Sequence, residues 1–294
     1  GGDTHPAQPH HRFCDLIARC GRAGAQKVSS TIIRSAGFAR QLKVQWDVIA
    51  ALMIREVNVK YGHSNLGFFW IIAEPMILTF LVSVVWSVTS HGSSISTIGV
   101  PLFILTGYSG LVLWRHLVGR SLSILRLRAE LLYHNNIKPI DIIVATYFLE
   151  IVSVFTAFSC SYVPLVIVGF LPAPTDPLLL IGGWLMLGLF GMSVGILLAA
   201  MSEMTDLLEK FVQPIIYVTL PLTGVFSLIE WMPPRARQVL SYSPVANAIE
   251  MFRAGAFPED AVLHYDPLYV VKVSLILVAI GIPLMVIAQK HVSH

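Results

Sequence analysis

Apolar positions run together in six stretches: Leu66 to Val88, Gly99 to Val118, Ile140 to Phe170, Leu178 to Met201, Phe211 to Ile229 and Leu268 to Ala288. Each holds about 18 to 25 apolar residues, and at about 1.5 Å per residue that length crosses a hydrocarbon layer about 30 Å thick. The pattern predicts an all-α polytopic membrane protein with six transmembrane helices. A different periodicity precedes them. Leu42, Trp46, Ile49, Ala50, Met53, Ile54 and Val57 recur at helical spacing, with Lys43, Asp47, Arg55 and Lys60 on the polar face. Gly62 can close this helix as a left-handed cap. A helix of this kind lies in the headgroup plane, either as a plain anchor or as a lever gripped by a cytoplasmic partner. The chain therefore divides into a flexible cytoplasmic tail (1–40), an amphipathic interface helix (41–62) and a transmembrane domain (63–294).

Composition agrees: 55% of residues are hydrophobic and 13% charged, against about a quarter charged in soluble domains. The net charge of +3 matters less than where the cations sit. Nine Lys and Arg residues precede the first span, and Arg120, Arg126, Arg128 and Lys138 lie between the second and third. The connections His91 to Ile98 and Leu171 to Pro177 carry no Lys or Arg. The positive-inside rule then places both termini in the cytoplasm, against the trend of Arg235, Arg237 and Arg253 in the last external segment. No apolar run with a small-residue cleavage site precedes Gln41, so no removable signal peptide is expected. Cys14, Cys20 and Cys160 form no disulfide framework. His10, His11, Cys14 and Cys20 match no standard zinc spacing, and no metal site is expected.

Ionisable groups inside spans are costly and each needs a reason. Glu74 lies about 12 Å into the first span and Glu150 about 16 Å into the third. They either line a wet path or latch helices together, or they are protonated carboxyls bonded to a neighbour. Among the aromatic residues, Phe69, Trp70 and Tyr108 are candidates for a sugar track, although Trp and Tyr also collect at membrane interfaces. Between spans five and six, Trp231 to Pro234 reads as a turn, followed by short helices at Ala236 to Leu240 and Val245 to Ala256. Ser243 can cap the second of these with Pro244 at its first position. Glu250 and Arg253, three apart on one face, can pair.

Two segments resemble a known family. Arg55 to Pro75, REVNVKYGHSNLGFFWIIAEP, resembles the N-terminal motif of the membrane subunits of type-two ABC exporters, with Arg55, Glu56, Lys60, Tyr61, Ser64, Leu66, Gly67, Trp70 and Pro75 on the pattern. Leu131 to Glu150, LLYHNNIKPIDIIVATYFLE, is similar to the internal loop and third span of the capsular-polysaccharide, KpsM-like branch. One position departs: Thr146 stands where that branch often has Arg, one turn before Glu150.

The resemblance implies a homodimer working with two copies of a nucleotide-binding ATPase subunit in a bacterial inner membrane, moving a polysaccharide or glycolipid from cytoplasm to periplasm. A periplasmic adaptor is a further candidate partner, and no nucleic acid is expected. The chain contains no G-x-x-x-x-G-K-S/T loop, so ATP and Mg belong on the partner. The ATPase-coupling candidates are Arg55, Glu56, Lys60, Arg126, Arg128 and Glu130. The substrate-path candidates are Phe69, Trp70, Glu74, Tyr108 and Glu150. Pro244, Glu250 and Arg253 belong to short re-entrant helices that the family uses as an external gate. Exporters of O-antigen, teichoic acid or drugs would present nearly the same spans.

One rival reading is a rhomboid-like intramembrane protease, because Gly107, Tyr108, Ser109 and Gly110 form G-x-S-G and Gly191 to Gly195 form G-x-S-x-G. That chemistry needs a histidine on another helix at the serine's depth. His116 shares the span of Ser109, about 10 Å away along the axis. Small residues that let helices approach closely account better for both motifs.

Overall fold

The computed structural model describes residues 46–57, 76–78, 80–81, 84–85, 99–124, 139–205, 207–258 and 261–292. Gly1–Ala50 and Ala51–His294 are separate compact units, and of the first only residues 46–50 are described. The described residues form helices without strands. Helix α1 covers 46–57. It is followed by α2 (Val100–Ser121), α3 (Pro139–Ile167), α4 (Pro177–Ser202), α5 (Leu207–Thr219), α6 (Pro234–Ser241), α7 (Pro244–Ala256) and α8 (Pro267–Val292). The described parts of the expected first span, within 76–85, are helical, and the rest of that span lies outside the described residues.

Four of these helices, α2, α3, α4 and α8, are long and apolar enough to cross a membrane. Their ends fall within a few residues of the hydropathy boundaries because the chain marks them with proline. Pro101, Pro139, Pro177 and Pro267 stand in first turns, where a missing N–H costs nothing. Asp176 adds a cap to α4, accepting the amides of Leu178 at 2.9 Å and Leu179 at 3.1 Å.

The expected fifth span, Phe211 to Ile229, is not one continuous helix. Helix α5 stops at Thr219 after 13 residues, about 20 Å, which is short of the hydrocarbon thickness. A 3-10 turn, Leu220–Thr223, follows. Gly224 ends that turn in the left-handed region, with φ 70°. A left-handed turn inside an apolar run is invisible to hydropathy, which counts transfer free energy and not dihedral angles. Gly224→Ala is expected to cost about 1 to 2 kcal/mol, because a side chain there strains the left-handed backbone. Its new methyl would also press on Ala246 Cβ at 3.3 Å. A lowered unfolding temperature in detergent checks this.

Helix α4 is the centre of the described bundle and packs against α8, α7, α2 and α3. Glycine permits the closest of these approaches. A Cβ on Gly183 would collide with the backbone of Phe252 in α7, and one on Gly255 of α7 would collide with the backbone at Leu180 in α4. Around this seam Trp184, Phe158 and Phe252 form an aromatic cluster, with Phe158 edge-on to Phe252 at 5.0 Å. Helix α8 keeps an outward row of Leu275, Ile276, Ile280 and Ile287, all exposed, as expected for a lipid-facing surface. In α1 the observed burial differs from the expected stripe. Leu52 and Glu56 are buried, whereas Ile54 and Val57 are exposed.

Candidate functional site

Ser243 ahead of α7 and three polar side chains on it bind backbone groups of neighbouring segments. Ser243 caps the helix, accepting the Ala246 amide at 3.4 Å, and Pro244 takes the first position, as the sequence predicts. Asn247 donates to the carbonyls of Ser241 and Ser243 and accepts the Asp266 amide at 2.9 Å. Glu250, fully buried, accepts the amides of Ile229 and His264, each at 2.7 Å. Arg253, equally buried, donates to the carbonyls of Gly224 at 2.7 Å and Val225 at 2.6 Å. Its guanidinium lies over the Phe103 ring, 4.2 Å from the centroid.

The expected pairing of Glu250 with Arg253 is corrected by this geometry. Each charge is spent on backbone groups left without a helical partner, because the segments leaving α5 and entering α8 carry amides and carbonyls that must be satisfied. The two charges still act on each other. Burial raises the Glu250 carboxyl above its ordinary value, against the pull of the Ile229 and His264 amides and of Arg253. Burial likewise lowers Arg253, against the opposing pull of Glu250.

A second cluster forms where α2 and α3 meet. Glu150, 1% exposed, faces His116 Nδ1 at 2.5 Å and Arg120 Nη1 at 3.4 Å. Both partners come from α2, one turn apart, so a cation from the neighbouring helix serves the carboxylate in a chain whose Thr146 replaces the arginine expected on the same helix. Thr146 is itself buried, with its hydroxyl unpartnered. Sequence reasoning missed the roles of His116, Arg120 and Asn247. The available signal was the spacing of 116 and 120 at i, i+4, which puts a histidine and an arginine on one face.

Among the other candidates, Tyr108 is half-buried on α2, Arg55 is exposed and Glu56 is buried on α1. Lys60, Phe69, Trp70, Glu74, Arg126, Arg128 and Glu130 lie outside the described residues, as do His10, His11, Cys14 and Cys20. Both serine motifs sit at helix contacts. Ser109 donates to the Leu105 carbonyl and Ser193 to that of Leu189. Gly107 lies against Arg253 and Val225, Gly191 against Leu117, and Gly195 against Tyr147. With His116 held by Glu150, no base reaches either serine among the described residues.

A cavity of about 500 Å³ lies beside these elements, with Leu198, Leu208, Val239 and Tyr242 among its lining residues. Among the described residues its lining carries no charged side chain. Trp114, stacked on Phe190 at 5.5 Å, forms part of its wall.

The sequence profile described as ABC-2 type transporter matches residues 47–257. This chain belongs to the ABC-2 type transporter family. Among curated proteins it is 29% identical over 261 residues to the capsule polysaccharide export inner-membrane protein CtrC of Neisseria meningitidis serogroup B, covering 89% of this chain and 98% of the relative. It is 29% identical over 245 residues to the capsule polysaccharide export inner-membrane protein BexB of Haemophilus influenzae, covering 83% and 92%. It is 22% identical over 254 residues to the polysialic acid transport protein KpsM of Escherichia coli, covering 82% and 93%.

Proposed function

We propose that this chain is the transmembrane subunit of an ATP-driven exporter that moves a capsular polysaccharide, carried on a lipid, out of a bacterial cytoplasm. The observation that carries this reading is the similarity to capsule polysaccharide export inner-membrane proteins along nearly their whole length. The chain is the conduit and not the motor, since its sequence has no phosphate-cradling loop. Two copies pair in the inner membrane with both termini cytoplasmic, and two ATPase subunits supply ATP and Mg on that side. Each copy contributes six spans, with the fifth broken near Gly224.

In this reading α1 and the loop carrying Arg126, Arg128 and Glu130 receive the ATPase stroke, with Arg55, Glu56 and Lys60 in the first contact region. Phe69, Trp70, Glu74, Tyr108 and Glu150 lie along or beside the path. Helices α6 and α7 re-enter the outer half of the membrane and close the exit, with Pro244, Glu250 and Arg253 fixing their position. Coupling requires contacts that differ between two states of the dimer.

Replacing Arg126 and Arg128 together by Glu is expected to abolish co-purification of the ATPase while the chain still reaches the membrane, leaving polymer in the cytoplasm. Undiminished co-purification would overturn the docking assignment. Export by the purified chain in liposomes without any ATPase would overturn the reading as a whole.

A further inference from the structure

The apolar cavity has no role in the transport reading, and its lining has a shape. Phe190, Val194 and Leu198 follow one another at i, i+4 on α4, as do Leu208, Val212 and Ile216 on α5. Each set is a strip on one face of its helix, about 12 Å long. Trp114 and Val118, also at i, i+4, add a shorter strip from α2. A slot walled by strips on three helices suits an extended chain better than a compact body. Its volume of about 500 Å³ lies within the range of about 300 to 1,000 Å³ typical of ligand pockets.

The chemistry of the walls narrows the occupant. The hydroxyls among the lining are already spent: Thr219 donates to the Ile215 carbonyl at 2.8 Å, Thr223 donates to that of Leu220 at 2.6 Å, and Ser243 accepts the Ala246 amide. Trp114 Nε1 has no partner and is sealed from the surface, so what Trp114 offers the slot is ring carbon. A polar or charged ligand would lose its hydration here for little return, whereas hydrocarbon loses none. The position of the opening agrees. Ile215, Leu222, Val239 and Tyr242 line the cavity and are also exposed, so it opens along α5, its 3-10 turn and α6. The surface beside that opening is apolar, with Phe211, Val218 and Phe226 exposed, as expected of a face in contact with lipid.

We infer that the slot holds one acyl chain of a membrane phospholipid, which enters between α5 and α6 and leaves its headgroup outside. The walls come from the long helices α2 and α4 and equally from α6 and the first residues of α7. A chain in the slot therefore touches both the spans and the start of the helix that carries Glu250 and Arg253. The inference requires the membrane but not the transport reading, and occupancy can be measured without export.

The test reads Trp114 itself. The purified full-length chain is reconstituted in vesicles of phosphatidylcholine carrying a dibrominated acyl chain, or of the same lipid without bromine, because bromine quenches indole emission at close range. Subtracting the emission of W114F isolates Trp114 from the other tryptophans. Its emission is expected to be present in the plain vesicles and lost in the brominated ones. V194F, which fills the slot from α4, is expected to restore it, and I280F on the outward face of α8 to leave the quenching unchanged. Trp114 emission retained in brominated vesicles would overturn the inference, because polypeptide, from this chain or a second copy, then occupies the slot. Quenching that persists in V194F would also overturn it, since bulk lipid then suffices, and so would quenching by water-soluble acrylamide, which would mark a wet cavity. If V194F does not fold, V239F narrows the opening from α6 and must restore the emission in the same way.

Discussion

Arg253→Met is expected to cost about 3 to 5 kcal/mol and to leave little folded protein in the membrane. The guanidinium is fully buried and is shared between the carbonyls of Gly224 and Val225. Removing it strands two acceptors and leaves the buried Glu250 without the cation whose field favours its charge. Methionine fills much of the volume, so the loss isolates the polar contribution from a cavity. Arg253→Lys should recover only part of the stability, because a single ammonium on a flexible stem does not reproduce a planar fork. The comparison is read from unfolding temperature in detergent and from the amount of chain in membranes. A lysine variant as stable as the parent would show that charge alone, and not the two-carbonyl geometry, secures the turn.

Gly183→Val is the second change with a large expected effect, about 3 kcal/mol or more, with α7 displaced from α4. A Cβ at this position meets the Phe252 amide nitrogen and Cα and the Met251 carbonyl carbon, all backbone, so no side-chain rotation relieves the overlap. The adjacent glycine provides the internal control. A Cβ on Gly182 meets only the terminal methyl of Met251, at 2.9 Å, and a flexible thioether can move aside. Gly182→Ala should therefore be tolerated where Gly183→Ala is not, and the difference in unfolding temperature between the two variants measures the seam directly. Similar stability in both would refute the backbone contact between α4 and α7.

These two glycines show how far the sequence could be read. They are adjacent, identical in type and inside one uniform apolar run, so nothing in the pattern ranks them; the distinction arises only when α7 folds back onto α4. The charged residues behave in the same way. Glu250 and Arg253 have helical spacing for a pair, and isolated-helix reasoning pairs them. In the fold each finds backbone partners on a different segment, because unsatisfied amides and carbonyls from outside the helix compete for the same charges. Glu150 was recognisable as a costly residue needing a partner, but the partner lay 34 positions away. The capping by Ser243 and Pro244, by contrast, was legible because a cap depends only on residues within one turn.

From its residues alone, this protein was destined for a membrane as a set of apolar helices, with proline and aspartate marking their starts and with no nucleotide loop of its own. Those properties are sums over neighbouring residues, since transfer free energy and capping are settled within a span or a turn. Tertiary structure decided the break at Gly224, the seam between α4 and α7, and the partners of Glu150, Glu250 and Arg253. Each of these depends on which helices meet, and that is fixed by packing between segments far apart in the chain.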